Sequence, residues 1–458
     1  MLEQVCSREM SINTFSEKFS DFIYRTTYED IGSDVRDEAR RVFVNAVCTM
    51  IAGAEDPSIR KFLEALSPLM GPKEAIAFGF DAQVDVPSAA FLNAASGNVM
   101  DYDDTHLQTL IHLGSVIFSA TTALAQIRPV SGKQLLLAYI VAAEVETRLG
   151  LALGPGHYPG GWHITATCGT IGAAAACSKL LDLDARQTAH AIGIAVNMSG
   201  GVIENLQSMA KSIGVGDAAR GGLLAALYAK AGVDSASTAL EGPLGFFSVY
   251  SRKPQLEGLF DELGTSWRFM ESSCKPYASC VLLFPVIDAI LDIRRKHNID
   301  VDSIDQVYVR GVPLLVRLHT YPISTPREAK LCLQHGAAVT IIRGTAGIDD
   351  FLEGAINDPA VRKLADKVVA EEDESYDAVS ASVTITMKDA TKYTSKIEYC
   401  KGSAENPVDD DGLKEKCRAI LNRRISSSQS EKLIDTLWQI ETAKDVADVV
   451  GSVKTQLS

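Results

Sequence analysis

The chain has 458 residues, 46% of them apolar and 22% charged, and its net charge is −14. That length exceeds what one hydrophobic core usually serves, so two domains are expected. The acidic balance argues against a sequence-independent grip on nucleic acid, which needs a basic face, and no apolar run reaches the ~20 residues that span a bilayer; a small anionic substrate stays open, because a pocket can be locally positive on an acidic protein.

The start, MLEQVCSREMSINTFSEKF, lacks the apolar core of a secretory signal and is too acidic for a typical transit peptide. A cytoplasmic location is expected, with an organelle left open. Helical spacing then dominates to about residue 265. SDVRDEARRVFVNAVCTMIAGA opens on a Ser33/Asp34 cap signal and stops at Gly53. SAAFLNAASGNVMDY and SVIFSATTALAQI read as small-residue helices on either side of a polar loop. GTIGAAAACSKLLDL, ARQTAHAIGIAVNMSGG and GDAARGGLLAALYAKAG continue the pattern, and their alanines and glycines allow close helix–helix approach. After about residue 270 the texture changes. SIDQVYVRGVP and AVSASVTITMKDATKYTSKIEY alternate as strands do, the second with a hairpin turn at Lys388-Asp389-Ala390. Between them PREAKLCLQHGAAVTIIRG and PAVRKLADKVVAEED read as helices. From GLKEKCRAILNRR onwards the chain is helical again, and this tail is expected to pack back on the first domain. The expected fold is mainly α with a smaller α+β lid. Residues 1–268 form a large helical domain, 269–412 the lid, and 413–458 helices that return to the helical domain. The nine cysteines are scattered and show no C-x-x-C, so neither a disulfide framework nor a structural zinc site is suggested.

Titratable chemistry is concentrated in NVMDYDDTHLQTLIHLG, residues 98–114, which carries Asp101, Asp103, Asp104, His106 and His112 between apolar stretches. It reads as a metal site, an acid/base site or a wet loop. As a metal site it is poor: an EF-hand loop needs glycine at position 6 and glutamate at 12, and no H-x-x-x-H or H-E-x-x-H occurs. Asp103 and Asp104 suit helix capping or holding the loop. His163 follows Gly160-Gly161-Trp162, where glycines let backbone approach a ligand and Trp162 could wall a dry site; His163 is favoured as catalytic or substrate-binding. Lys211 lies in MAKSIGVGDAARGG, where Gly214 and Gly216 suggest a tight loop before a helix, and a helix N-terminus favours anions. Lys275 opens KPYASC at the expected domain junction and could close over a polyanion. Arg220 reads as an ion-pair partner, Tyr277 and Cys280 are ambiguous, and His106 and His157 read as peripheral.

MDYDDTHLQTLIHLG, GGWHITATCGTIGAAAA, MAKSIGVGDAARGGLLAA, CKPYASC and KGSAENPV occur in this order. Together they resemble the MmgE/PrpD family, which includes 2-methylcitrate dehydratase, cis-aconitate decarboxylase and iminodisuccinate epimerase. The resemblance runs from about residue 15 to 420. It implies a helical domain with an α+β lid, a cleft between them, a homodimer, and chemistry without metal or cofactor on a small polycarboxylate. It makes Asp101 the motif aspartate, sets Thr105 and His112 in the pocket, and places His335 where some members carry an aromatic pocket residue. Gly214 and Phe284 stand where the family often has histidines, and Ala278 where it often has proline. The reactions of such a family pass near a carbanion next to a carboxylate, lowered by a positioned base and by donors facing the developing charge. The expectation is a lyase, either a 2-methylcitrate-type dehydratase or a cis-aconitate-type decarboxylase. His163, His112, Asp101 and Lys211 would be catalytic; Thr105, Lys275, Tyr277 and His335 would bind substrate. The alternatives are an epimerase of an amino- or imino-dicarboxylate and a catalytically inactive metabolite-binding homologue.

Overall fold

The computed structural model describes residues 14–80, 83–317 and 321–457; Cys6 and most of the N-terminal stretch read above lie outside them. Helix α1 (Phe15–Arg25) starts at a capping box: the Thr14 side chain accepts from the Glu17 N–H and Glu17 reaches back to the Thr14 N–H. Helix α2 (Ser33–Gly53) has the expected bounds, but its cap is Gly32, with no side-chain bond, and not Ser33 or Asp34. Its second half, Val42 to Gly53, is buried on every side.

Among the further helices of the large domain are α3 (Val86–Val99), α4 (Leu113–Leu124), α5 (Gly132–Leu153), α6 (Ile164–Leu180), α7 (Ala185–Met198) and α8 (Ala210–Lys230). Helix α6 lies at the centre and packs against α4, α5, α7 and α8. Small residues allow this. A Cβ on Gly222 of α8 would sit 2.5 Å from the Thr170 carbonyl oxygen and 2.6 Å from the Ala174 nitrogen of α6, so the two backbones touch. Bulk is supplied elsewhere: Phe118 stacks on Tyr139 at 4.4 Å and meets Phe43 edge-on at 5.2 Å. Helix α8 begins at Ala210, earlier than the sequence suggests. Lys211 therefore sits in its first turn, and Gly214 and Gly216 are helical, not part of a loop.

Two short strands tie the large domain to the smaller one. Strand β1 (Asp104–His106) pairs antiparallel with β2 (Ser272–Cys274), Thr105 opposite Ser273. Helix α9 (Phe284–Lys296) then covers a four-stranded sheet made of β3 (Ile304–Gly311), β4 (Val368–Glu372), β5 (Ala381–Met387) and β6 (Lys392–Ile397), in the order β4-β3-β5-β6. Ala381, Val383, Ile385 and Met387 alternate inward along β5, as the period-two pattern requires. The hairpin turn between β5 and β6 holds Ala390 at φ 69°.

Two readings need correction. The stretch 359–373 is helical only over α12 (Pro359–Ala365); Val368–Glu372 is a strand, parallel to β3, because its β-branched start meets an open sheet edge. The stretch 326–344 breaks at Cys332 into α10 (Pro326–Leu331) and α11 (Leu333–Arg343). The smaller domain is thus mixed α/β with one parallel pair. Helices α13 (Asp410–Leu421), α14 (Ser427–Trp438) and α15 (Val446–Leu457) complete the chain, and α13 and α14 pack on α2. Arg424 donates to the carbonyls of Ile51 and Gly79, both at 2.9 Å. No described helix is long and apolar enough to cross a membrane, and all eight described cysteines are free.

Alanine normally favours a helix over glycine by about 1 kcal/mol. At Gly222 the sign reverses: Gly222→Ala should lower stability by about 1–3 kcal/mol through overpacking, read as a fall in the thermal midpoint. Tyr139→Phe should leave it unchanged or raise it, because the buried Tyr139 hydroxyl has no partner among the described residues.

Candidate active site

Helix α3 ends at Val99, and two residues on Asp101 turns left-handed at φ 52°. Few non-glycine residues accept this, though aspartate is among those that do. The turn points the Asp101 carboxylate into the protein, where it is 6% exposed. Its Oδ1 receives the ammonium of Lys275 at 2.9 Å and that of Lys211 at 3.3 Å. The His112 Nε2 lies 4.0 Å from the same oxygen. Burial would push the Asp101 carboxyl up, but Lys211, Lys275 and His112 together hold it well below the usual carboxylate range. Lys275 is itself 1% exposed; burial would lower it, and the charges of Asp101 and Asp103 raise it instead. Two ammoniums thus share one buried carboxylate. Asp103 supplies a second buried carboxylate to the same cluster, so two ammoniums meet two carboxylates here.

His112 caps α4, and its backbone N–H donates to Thr165 Oγ1 at 3.1 Å. Its Nδ1 lies 3.0 Å from Asp103 Oδ1 and 3.1 Å from Thr105 Oγ1. The other Asp103 oxygen is fixed by Asn98 Nδ2 at 3.0 Å and Ser115 Oγ at 2.7 Å. Burial opposes the Asp103 charge, but the neighbouring His112 keeps its pKa down to about 2. With Nδ1 beside Thr105 Oγ1 and Asp103, the ring turns Nε2 toward Asp101. Sequence reasoning gives Asp103 only a loop-holding role; its pairing with His112 exists only once β1 runs alongside the start of α4. Asp104 does hold the loop: it accepts from the Gly114 N–H at 2.9 Å. Burial and the Asp103 charge push its pKa up to about 7.

His163 caps α6 and donates its N–H to the Gly201 carbonyl at 3.1 Å. Burial, then the charges of Lys211 and His112, push its pKa down to about 3, so it is a neutral imidazole at ordinary pH. His112, His163 and Lys211 each stand at the start of a helix, so three positive dipole ends converge with two ammoniums.

Asp101, Thr105, His112, His163, Lys211 and Lys275 line one cleft. Leu110, Leu206, Val281 and Leu331 form its apolar wall, and Tyr158 and Cys280 also face it. Sequence reasoning misses Tyr158, although it lies within GHYPGGWH beside His163. Four expectations fail. The Tyr277 hydroxyl donates to Asp288, and His335 Nε2 bonds to the Asp350 carbonyl at 2.8 Å, so neither lines the cleft. Both are claimed by the smaller domain's own packing. Trp162 leans on Tyr250 at 4.6 Å, and Tyr158 takes the wall position instead. Gly214 and Gly216 form no loop at the site, being turns of α8. His106 and His157 are peripheral as expected, held by Thr109 and by Tyr250 and Thr167, away from the cleft. Position 214 does face the site, since a Cβ there would lie 3.8 Å from His163 Nδ1. Phe284 is fully buried against Tyr277.

Asp101, Asp103 and His112 offer ligand atoms within 4.8 Å of one another. This donor set does not fit a metal ion. The Asp101 oxygen that would bind it already carries two ammoniums, which would repel a divalent cation.

Comparison with known proteins agrees with this architecture. Residues 17–259 match the MmgE/PrpD N-terminal domain and residues 277–441 the MmgE/PrpD C-terminal domain. The chain is 28% identical over 392 residues to cis-aconitate decarboxylase of Homo sapiens, covering 82% of this chain and 80% of that protein. It is 25% identical over 469 residues to cis-aconitate decarboxylase of Mus musculus, covering 97% and 94%. It is also 25% identical over 457 residues to cis-aconitate decarboxylase-like protein oryM of Aspergillus oryzae, covering 93% and 95%. A helical domain and a mixed α/β domain, each matched in order and meeting at one buried cleft, place this chain in the MmgE/PrpD family.

Proposed function

We propose that this protein is a lyase that works without metal or organic cofactor on a small di- or tricarboxylic acid. Loss of CO2 from a cis-aconitate-like acid is the first reading, and loss of water from a 2-methylcitrate-like acid the second. The observation that carries it is the buried carboxylate of Asp101 shared by Lys211 and Lys275, with His112 and His163 lining the same cleft. The names of the curated relatives favour decarboxylation.

In this reading Lys211 and Lys275 grip substrate carboxylates, and Thr105 adds a hydroxyl contact. The bond from carbon to one carboxylate breaks and CO2 leaves. The electron pair stays on the carbon framework beside a second carboxylate, where the lysines stabilise the developing enediolate charge. His112, oriented by Asp103, delivers a proton to carbon through Nε2. The apolar wall keeps water from competing for that carbanion. In dehydration, neutral His163 would instead take a proton from carbon while His112 protonates the leaving hydroxyl. Two proton carriers on separate helix starts also suit an epimerase, which needs an acid and a base at one carbon. A cytoplasmic homodimer is part of the proposal, supported by the exposed apolar residues Met198, Val202, Met209 and Ile213 along one segment; a monomer by sedimentation at micromolar concentration would remove it.

Proton NMR in D2O with 2-methylcitrate, citrate, cis-aconitate and imino- and amino-dicarboxylates decides the reaction. New vinyl signals or loss of a carboxylate carbon are expected; deuterium entering one carbon of an intact skeleton would replace the lyase by an epimerase. On whichever acid turns over, His112→Ala should lower kcat by ~10²–10⁴-fold, the usual worth of a general acid or base. His163 gains a proton only near pH 3. His163→Gln should therefore cost rate without moving the acid limb of the kcat/KM profile above pH 5, and a shifted limb would show that His163 titrates there.

A further inference from the structure

Two lysines that no part of this mechanism uses are buried beside the Asp101 turn. Lys330, at the end of α10 in the smaller domain, is 4% exposed, and Lys416 of α13 is 7% exposed. Neither ammonium has a carboxylate within ion-pair distance among the described residues; their hydrogen bonds go to main-chain carbonyls and, from Lys330, also to Met100 Sδ at 4.0 Å. Lys330 Nζ donates to the Val99 carbonyl at 3.2 Å. Lys416 Nζ donates to the Tyr102 carbonyl at 2.7 Å and to the Lys275 carbonyl at 2.8 Å, and lies 4.0 Å above the Tyr102 ring. The two thus grip opposite ends of the four residues 99–102. Between their holds sits the left-handed Asp101. Lys416 also grips the residue whose ammonium meets Asp101 at 2.9 Å.

Burying an ammonium without a counter-ion is costly, and an apolar side chain of similar length would fill the same space more cheaply. Burial pushes both pKa values down to about 8, a sign of that cost. A left-handed non-glycine residue persists only where its surroundings over-determine it. We propose that Lys330 and Lys416 are positioning residues, which hold the 99–102 turn from both ends and thereby keep the Asp101 carboxylate against Lys275. The proposal rests on the reading of the Asp101–Lys275 pair as a working part of the active site. The lysines touch no reacting atom; they act through the backbone of the residues that do.

The test uses Lys416→Met and Lys330→Met in the full chain, with Asp101→Asn as background. Each single variant should fold and lose about 10–100-fold in kcat, the usual cost of removing a supporting contact. In the Asp101→Asn background either substitution should cost less than about threefold more, because residues acting through one group do not lose independently. Unchanged kcat in folded variants, or losses that multiply fully with Asp101→Asn, would overturn the proposal. If Lys416→Met does not fold, Lys330→Met carries the same comparison. If the wild-type chain turns over none of the acids, the functional reading fails separately. The crystal structure of either variant then decides: relaxation of Asp101 from positive φ with a lengthened Lys275 contact supports the clamp, and an unchanged turn overturns it.

Discussion

One carboxylate held by two ammoniums is the constraint on which the rest of this structure turns. Lys275 and Lys211 repel each other, and both are removed from most of the water that would screen them. Only Asp101 lets them converge, and it does so from a left-handed backbone conformation that few non-glycine residues adopt. Asp103 adds a second carboxylate that balances the pair, and helices α4, α6 and α8 add their positive N-terminal dipole ends. An acidic protein thereby encloses a cleft suited to anions. Burial, helped by the charges of Lys211 and His112, keeps His163 neutral, while His112 sits beside the Asp103 carboxylate.

The scaffold serves this arrangement through short, close-fitting connections more than through long elements. The β1–β2 pair brings the 98–114 segment alongside the strand that leads into Lys275. The close crossing of α6 and α8, possible only because Gly222 has no side chain, brings His163 and Lys211 to the same level. Packing in the helical core and geometry in the cleft are then one problem, since a shift of α8 moves an ammonium.

Much of this is legible in the sequence because it is local. Helices α2, α3, α4, α6, α7 and α8 announce themselves by spacing, and Asp101, Thr105, His112, His163, Lys211 and Lys275 stand in short motifs whose order resembles one family. The failures share a cause. Tyr277 is two residues from Lys275, and His335 lies in an equally suggestive run, but neither motif shows that Asp288 or the Asp350 carbonyl will claim the side chain first. The strand at 368–372 reads as helix because its partner, β3, lies some sixty residues earlier in the chain. Asp103 looks like a loop residue until its register against His112 is known. Lys330 and Lys416 sit in ordinary helical text, and only their burial gives them meaning.

The bond from Lys416 to the Tyr102 carbonyl joins residues 314 positions apart. During synthesis the chain emerges from its N-terminus, and domains fold as they appear. Helices α2 to α8 can therefore collapse around their alanine-rich core long before α13 exists. The cleft cannot be completed at that stage, since both the Lys275 strand and the last grip on the Asp101 turn are still to come. A nascent chain of this fold carries His112 and His163 early and can assemble the full charge cluster only after Lys416 has been made.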